Sequence, residues 1–270
     1  MSLIHPSAVI GPNVKLGKDV EVGPFVVIKG DTVIGDFCKL ESHVSVGSDY
    51  GVVKIGSHNH IFQGAVVGSA PQDLKYNNEP TELIMGDHNT IREFATINIG
   101  TTKTDGVTKI GSHNLLMAYV HVAHDCIIDD YVVISNSTQL AGHVEIDDHV
   151  TIGGCCAVSQ FCRLGRFAYI GGDSTINKDV LPFSIAEGKW AVMRATNKVG
   201  LERNGFSKAD VEGIHKSLRT LIKGSRTIDE SIQKIKSNQT LLLEQKNANQ
   251  INNNAPEPKR KYLVDLGRDS

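Results

Sequence analysis

Residues 121–126 read HVAHDC, which sets His121 and His124 three apart and puts a carboxylate and a thiol directly behind the second. Two imidazoles can ligate a metal. One can act as a general base steered by the acid beside it, or both can be polar surface residues. Spacing alone leaves these readings open. The elements that carry the residues decide between them.

A short period runs through the chain. Aliphatic residues stand at Ile4, Ile10, Leu16, Val22, Ile28, Ile34, Leu40 and Val46, again at Ile55, Ile61 and Val67, and then at Met85, Ile91 and Ile97. From Ile110 to Ile176 one falls at every sixth position. A period of six is neither that of an amphipathic helix nor that of a simple alternating strand. It fits short strands joined by tight turns, with the aliphatic residue inward and glycine often following it. Such hexapeptide repeats predict a parallel β-helix, three repeats to a coil of about 18 residues. In this repeat class the coil is left-handed, against the usual crossover rule.

The expected fold is therefore mainly β. A left-handed β-helix spans 1–183, with polar loop insertions near 68–84 and 100–109. Past Pro182 the metre fades. Ser207 caps a run in which Val211, Ile214, Leu218 and Leu221 keep helical spacing, and a second such run follows Thr227. This predicts a small α-helical C-terminal domain over 184–246, and the Asn-rich stretch 247–270 reads as a flexible tail.

Composition narrows the function. Twenty-eight basic against 30 acidic residues give a formal net charge of −2, which disfavours nucleic acid as the partner. No apolar stretch is long enough for stable membrane insertion, and MSLIHPSAVIGPNVKLG lacks the pattern of a signal peptide. Five cysteines without CxxC spacing fit a reducing compartment. The expected location is cytoplasmic.

The metre also sorts the candidate residues. His43, His58, His88, His113, His143 and His149 stand three after an aliphatic position, in a slot shared with Asn13 and Asp19, and read as turn residues. His124 stands two after Val122, a slot no other histidine takes. Cys38, Cys126, Cys156 and Cys162 occupy a small inward slot and read as packing, so no cysteine nucleophile is expected. Adding 18 to His124 reaches Gly142 and then Gln160, and from Asp125 it reaches His143 and then Phe161. These residues should gather on one edge of the prism. There Asp125 would fix the tautomer of His124 as base, and Gly142 would offer a backbone N–H to an oxyanion.

PQDLKY (71–76), HVAHDC (121–126), LAGHV (140–144) and GGCCAVSQFC (153–162), in this order, resemble the acyl-[acyl-carrier-protein]–UDP-N-acetylglucosamine O-acyltransferase family of lipid A synthesis. The resemblance runs from the first repeat through GLERNGFS to the following helix and covers most of the chain. It implies transfer of a 3-hydroxyacyl chain from acyl carrier protein, whose 4'-phosphopantetheine carries it, to the 3-hydroxyl of a UDP-linked glucosamine. It further implies a homotrimer with sites between neighbouring prisms, and no metal or other cofactor.

Residue by residue, His124 matches the family's base, Asp125 its orienting partner and Gly142 its oxyanion donor. Asp73, Lys75, His121, His143 and Gln160 match residues lining the cleft. Asn197 and Arg203 match positions near nucleotide or pantetheine, and Gly172 the floor of the acyl groove. Ser159 and Asn204 depart from the family, which often has His and a second basic residue there.

Three rivals remain at this level. A related hexapeptide enzyme would acylate a 3-amino sugar instead. A zinc carbonic anhydrase on the same prism would need three converging histidines. A bare scaffold would need no chemistry at all.

Overall fold

The structure, a computed structural model, describes residues 3–223. The strands are mostly two residues long and fall where the metre sets the aliphatic residue. Each pairs in parallel with the equivalent strand of the next coil, except the last, Val192–Thr196, which runs antiparallel to Ser184–Glu187, giving three sheets of eleven, nine and eight strands among the described residues. They form the three faces of a left-handed prism. From Val22 onward the inward aliphatic residue of each repeat is at most 3 % exposed, whereas Ile4 in the first repeat is 45 % exposed. The core is thus a single column of stacked Ile, Leu and Val. Because every inward position packs on its equivalents above and below, large aromatic side chains are not required there.

The insertions change the length of a coil without breaking its ladders. Leu3 pairs with Glu21, 18 residues on, but Val46 pairs with Val67, Val67 with Ile97, and Ile97 with Val122. Strands Val66–Ser69, Glu82–Met85 and Val107–Ile110 take up the ends of the two expected loops, so the irregular parts are shorter than 68–84 and 100–109.

The turn slot differs from the expectation of short polar residues. It is a left-handed backbone position (Asp19, Phe25, Phe37, His58, Asp125 and His143 have φ between 52° and 62°), and much of one corner is filled by rings. Phe37, His58, His88, His113, Tyr131, His149 and Phe167 form a continuous stack with centroids 4.6–4.9 Å apart. A left-handed conformation costs an L-residue roughly 1–2 kcal/mol, and a stacked ring contributes a comparable amount, about 0.5–1.5 kcal/mol. Side chains that can stack at the coil spacing therefore do well where short polar ones would merely be tolerated.

A second departure lies inside. Asn59, Asn89 and Asn114 are buried in the slot otherwise held by small or β-branched residues. Asn89 N–H donates to Asn59 Oδ1 at 2.8 Å, and Asn114 N–H donates to Asn89 Oδ1 at 2.9 Å.

Residues 184–196 correct the expected start of the helical domain. Ser184–Glu187 and Val192–Thr196 are strands that extend the first sheet, because Ile185 and Ala186 still pair with Tyr169 and Ile170. Helices begin with α1 (Lys198–Arg203) and α2 (Lys208–Lys223). The Ser207 cap is reciprocal: Asp210 N–H donates to Ser207 Oγ at 3.2 Å, and Ser207 N–H donates to Asp210 Oδ2 at 3.3 Å. Val211, Ile214 and Leu218 are buried against Phe183 and Leu201. No described helix is long and apolar enough to cross a membrane. The run after Thr227 and the tail 247–270 lie outside the described residues.

Candidate active site

The corner between the second and third sheets carries the site. His121–Val122 is a strand of the second sheet, with Val122 inward and fully buried. The outward His121 is held by Thr96 of the preceding coil, whose Oγ1 lies 2.7 Å from Nδ1. The chain then turns, and His124 and Asp125 come to lie 8 % and 5 % exposed.

Their side chains meet, His124 Nδ1 lying 2.8 Å from Asp125 Oδ2. One coil on, His143 N–H donates to the His124 carbonyl at 3.1 Å, and Phe161 N–H donates to the Gly142 carbonyl at 3.4 Å. The column expected from counting is formed. His143 stands edge-on to His124 with centroids 5.2 Å apart, its Nε2 3.6 Å from Asp125 Oδ2, and Phe161 stacks on it at 4.5 Å.

Gly142 sits directly against the His124 ring. A Cβ at this position would lie 2.6 Å from His124 Cε1 and 2.9 Å from Nε2, so a side chain would displace the imidazole. The Gly142 N–H has no acceptor among the described residues. An unpaired donor beside the ring edge that would take a proton is the arrangement an oxyanion requires.

Asp125 is held from a direction the sequence did not indicate. Thr101 donates its N–H to Oδ1 at 2.8 Å and its hydroxyl to Oδ2 at 2.6 Å, while Thr104 Oγ1 reaches Oδ1 at 3.2 Å. The Asp125 N–H donates to Thr108 Oγ1 at 2.8 Å. Burial by itself would raise this carboxyl, but the Thr101 and His124 hydrogen bonds outweigh it and hold the group below the usual carboxylate range. Asp125 is therefore charged at neutral pH and accepts a hydrogen bond from Nδ1–H, leaving Nε2 of His124 as the nitrogen with the free lone pair. Burial lowers the imidazoles of His121 and His143, in both cases with help from the nearby His124.

The first insertion adds Asp73. Its Oδ1 accepts the Lys75 N–H at 2.9 Å and its Oδ2 pairs with Lys103 Nζ of the second insertion. The Lys103 hydrogen bond, with that of Lys75, holds the Asp73 carboxyl below its ordinary value. Lys75 and Gln160 are exposed, the latter at the turn that follows Gly142 along the column.

Asn197, Arg203 and Gly172 do not join this cluster within one chain. Asn197 caps α1, accepting from Gly200 N–H at 3.1 Å and donating to the Phe167 carbonyl at 2.9 Å. Arg203 is exposed in the last turn of α1. Asn204, where the family often has a basic residue, ends that helix and donates from Nδ2 to the Gly200 carbonyl at 2.8 Å. Gly172 lies on the corner between the first and second sheets. A Cβ there would sit 3.5 Å from the Gly154 carbonyl, an ordinary contact, so nothing in the chain itself requires glycine.

Cys38, Cys126, Cys156 and Cys162 fill the buried inward slot as expected, and burial pushes the Cys126 thiol up to about 12. A thiol so held is no nucleophile at neutral pH.

One metal donor set exists among the described residues: the ligand atoms of His124, Asp125 and His143 lie within 4.8 Å of one another. A cation there would have to open the His124–Asp125 hydrogen bond and compete with Thr101. The hydrogen-bonded couple already engages His124 Nδ1 and Asp125 Oδ2 with each other.

Thr101, Thr104, Thr108 and Lys103 were not singled out in the sequence. The available signal was their place on an insertion that interrupts a regular prism, since functional residues gather on such loops.

The chain matches the family described as "Bacterial transferase hexapeptide (six repeats)" at residues 1–30 and 108–142. It also matches "Udp N-acetylglucosamine O-acyltransferase; Domain 2" at residues 179–265. It is 45% identical over 231 residues to the acyl-[acyl-carrier-protein]--UDP-N-acetylglucosamine O-acyltransferase of Halorhodospira halophila, covering 86% of this chain and 88% of that protein. Among solved structures, it is similar to the UDP-N-acetylglucosamine O-acyltransferase of Moraxella catarrhalis (36% identity, TM-score 0.86), covering 96% of this chain and 99% of the other. It is also similar to the Francisella novicida UDP-N-acetylglucosamine acyltransferase (33% identity, TM-score 0.88), covering 98% and 95%.

Proposed function

Since the chain belongs to the acyl-[acyl-carrier-protein]–UDP-N-acetylglucosamine O-acyltransferase family, we propose that it moves a 3-hydroxyacyl chain from the thioester of acyl carrier protein to the 3-hydroxyl of UDP-N-acetylglucosamine, the first step of lipid A synthesis. The observation that carries this reading is the buried His124–Asp125 couple at 2.8 Å with Gly142 packed on the imidazole.

Nε2 of His124 removes the proton of the sugar 3-hydroxyl as its oxygen attacks the thioester carbon. Asp125 accepts the Nδ1 hydrogen bond throughout and stabilises the imidazolium that forms. The carbonyl oxygen becomes an oxyanion, for which the free Gly142 N–H is the donor at hand. As the intermediate collapses the C–S bond breaks, and the departing pantetheine sulfur takes the proton from Nε2. The ester is formed, the carrier thiol is released and His124 returns neutral. A thioester is already activated, so no covalent enzyme intermediate is needed, which accords with the inert Cys126 thiol.

His121, His143, Asp73, Lys75 and Gln160 bound the cleft in this reading. Asn197, Arg203 and Gly172 lie apart from the cluster within one chain. A homotrimer in which each cleft is completed by a neighbouring prism would give them a role, and a cytoplasmic location accompanies the proposal. The acyl chain comes from the donor protein, and the chemistry calls for no metal or other cofactor.

The test is direct. Protein incubated with 3-hydroxyacyl-loaded carrier and UDP-N-acetylglucosamine should form the 3-O-acyl product, and His124→Ala should lose at least about 10²-fold in kcat. Transfer to the 3-amino analogue alone would replace ester with amide formation. No transfer to either acceptor would overturn the proposal. One tightly held zinc per chain, required for activity, would favour a metal hydratase instead.

A further inference from the structure

The ion pair between Asp73 and Lys103 joins the two insertions that interrupt the prism. Its surroundings are unusual for a loop contact. Asp73 is held in an Asx turn by the Lys75 N–H, with a side chain only 15 % exposed, while Lys103 is 44 % exposed. On the same short loop, two residues before and one after Lys103, Thr101 and Thr104 grip both oxygens of Asp125. One insertion thus holds the orienting carboxylate of the catalytic couple with its threonines and reaches the other insertion with its lysine.

We propose that Lys103 is a positioning residue of the catalytic pocket: its pairing with Asp73 ties the two insertions together beside His124 and balances the charge that the His124–Asp125 couple meets. The inference rests on the acyl-transfer reading for its catalytic meaning, but the charge balance is a property of the folded chain.

The groups whose fields reach the two imidazoles can be named. They are Asp125 from the same turn, His121 from the preceding strand, Asp73 from the first insertion, Lys103 from the second, and His124 and His143 themselves. The Cys126 thiol behind them stays neutral. Asp73 favours protonation of His143 while Lys103 and His124 oppose it, and Asp73 interacts likewise with His124. Paired, Asp73 and Lys103 act on His143 with opposite sign. Unpaired, either charge acts alone on a buried, weakly screened couple.

The test uses that opposition. In full-length protein with ring-labelled histidine, the His143 titration is followed by NMR and assigned with His143→Gln. Lys103→Met leaves Asp73 uncompensated and should raise the His143 midpoint by about half a pH unit, as expected for one unit charge at intermediate dielectric. Asp73→Asn leaves Lys103 uncompensated and should lower it by a similar amount. The double variant should return towards the parent value. A role confined to holding the loops would leave the midpoint in place or move both single variants the same way, and either result overturns the proposal.

In kinetics the acid limb of kcat/KM should follow the same two displacements, with Lys103→Arg restoring the parent profile. Opposite shifts by NMR in a protein with no acyl transfer would sink the functional reading and leave the charge balance standing. Active protein with unmoved midpoints would do the reverse.

Discussion

Gly142 packs against the edge of His124 so closely that an added methyl would come within 2.6 Å of Cε1. Backbone from one coil thereby sets the position of a side chain from the coil before it. Gly142→Ala should push the imidazole away from the oxyanion donor and lower kcat by about 10²-fold, as expected when oxyanion stabilisation or near-attack geometry is lost. The thermal midpoint should change little, because no inward aliphatic contact is touched. Wild-type kcat in the alanine variant would sink this account of Gly142.

Cys126 stands two residues after His124, yet its thiol is fully buried and pushed up to about 12, mainly by desolvation. Cys126→Ala should retain transfer activity, and thiol-directed reagents at pH 8 should react with the exposed Cys155 before any other cysteine. A large loss of kcat on replacing Cys126 by alanine would reopen the question of a covalent route.

The ring stack makes a separate claim about stability. His88→Asn keeps a residue that tolerates the left-handed backbone but removes a ring lying 4.7 Å from His58 and 4.9 Å from His113. The loss should be about 1 kcal/mol in urea unfolding, with kcat unchanged because this corner lies away from His124. An unaltered unfolding midpoint would show that the stack only decorates the turn.

Stability should also fall as acid is added across the histidine range. Burial sets the folded-state values of His121 and His143 below the ordinary one, so between that folded value and roughly 6.5 the unfolded chain binds more protons. Unfolding free energy should therefore rise with pH through this window and level off above it. His143→Gln should flatten the rise. A pH-independent denaturant midpoint between 5 and 7 would contradict the assigned burial. Asp125 acts further down the scale: its carboxyl is depressed, so its stabilising hydrogen bonds persist above the ordinary carboxylate value and are lost only as pH falls through the lower, folded one.

The sequence by itself determined the prism, its core and one edge of its site. A six-residue period fixes which residues point inward, and equal coils make neighbours of residues 18 apart. His124, Gly142 and Gln160, with Asp125, His143 and Phe161, could thus be placed in adjoining columns by counting. The counting works there because no insertion interrupts the coils between Ile110 and Ile176.

Upstream it fails for a physical reason. The two insertions lengthen their coils by unequal amounts, so no fixed step leads from Thr101 to Asp125 or from Asp73 to Lys103. These contacts depend on how a loop folds back on the prism, and only the tertiary structure decided them. The same irregular steps hid the stack of His58, His88 and His113, because their rings are 30 and 25 residues apart in sequence and one coil apart in space. Local patterning carries what repeats; what an insertion touches is set by the packing of the finished fold.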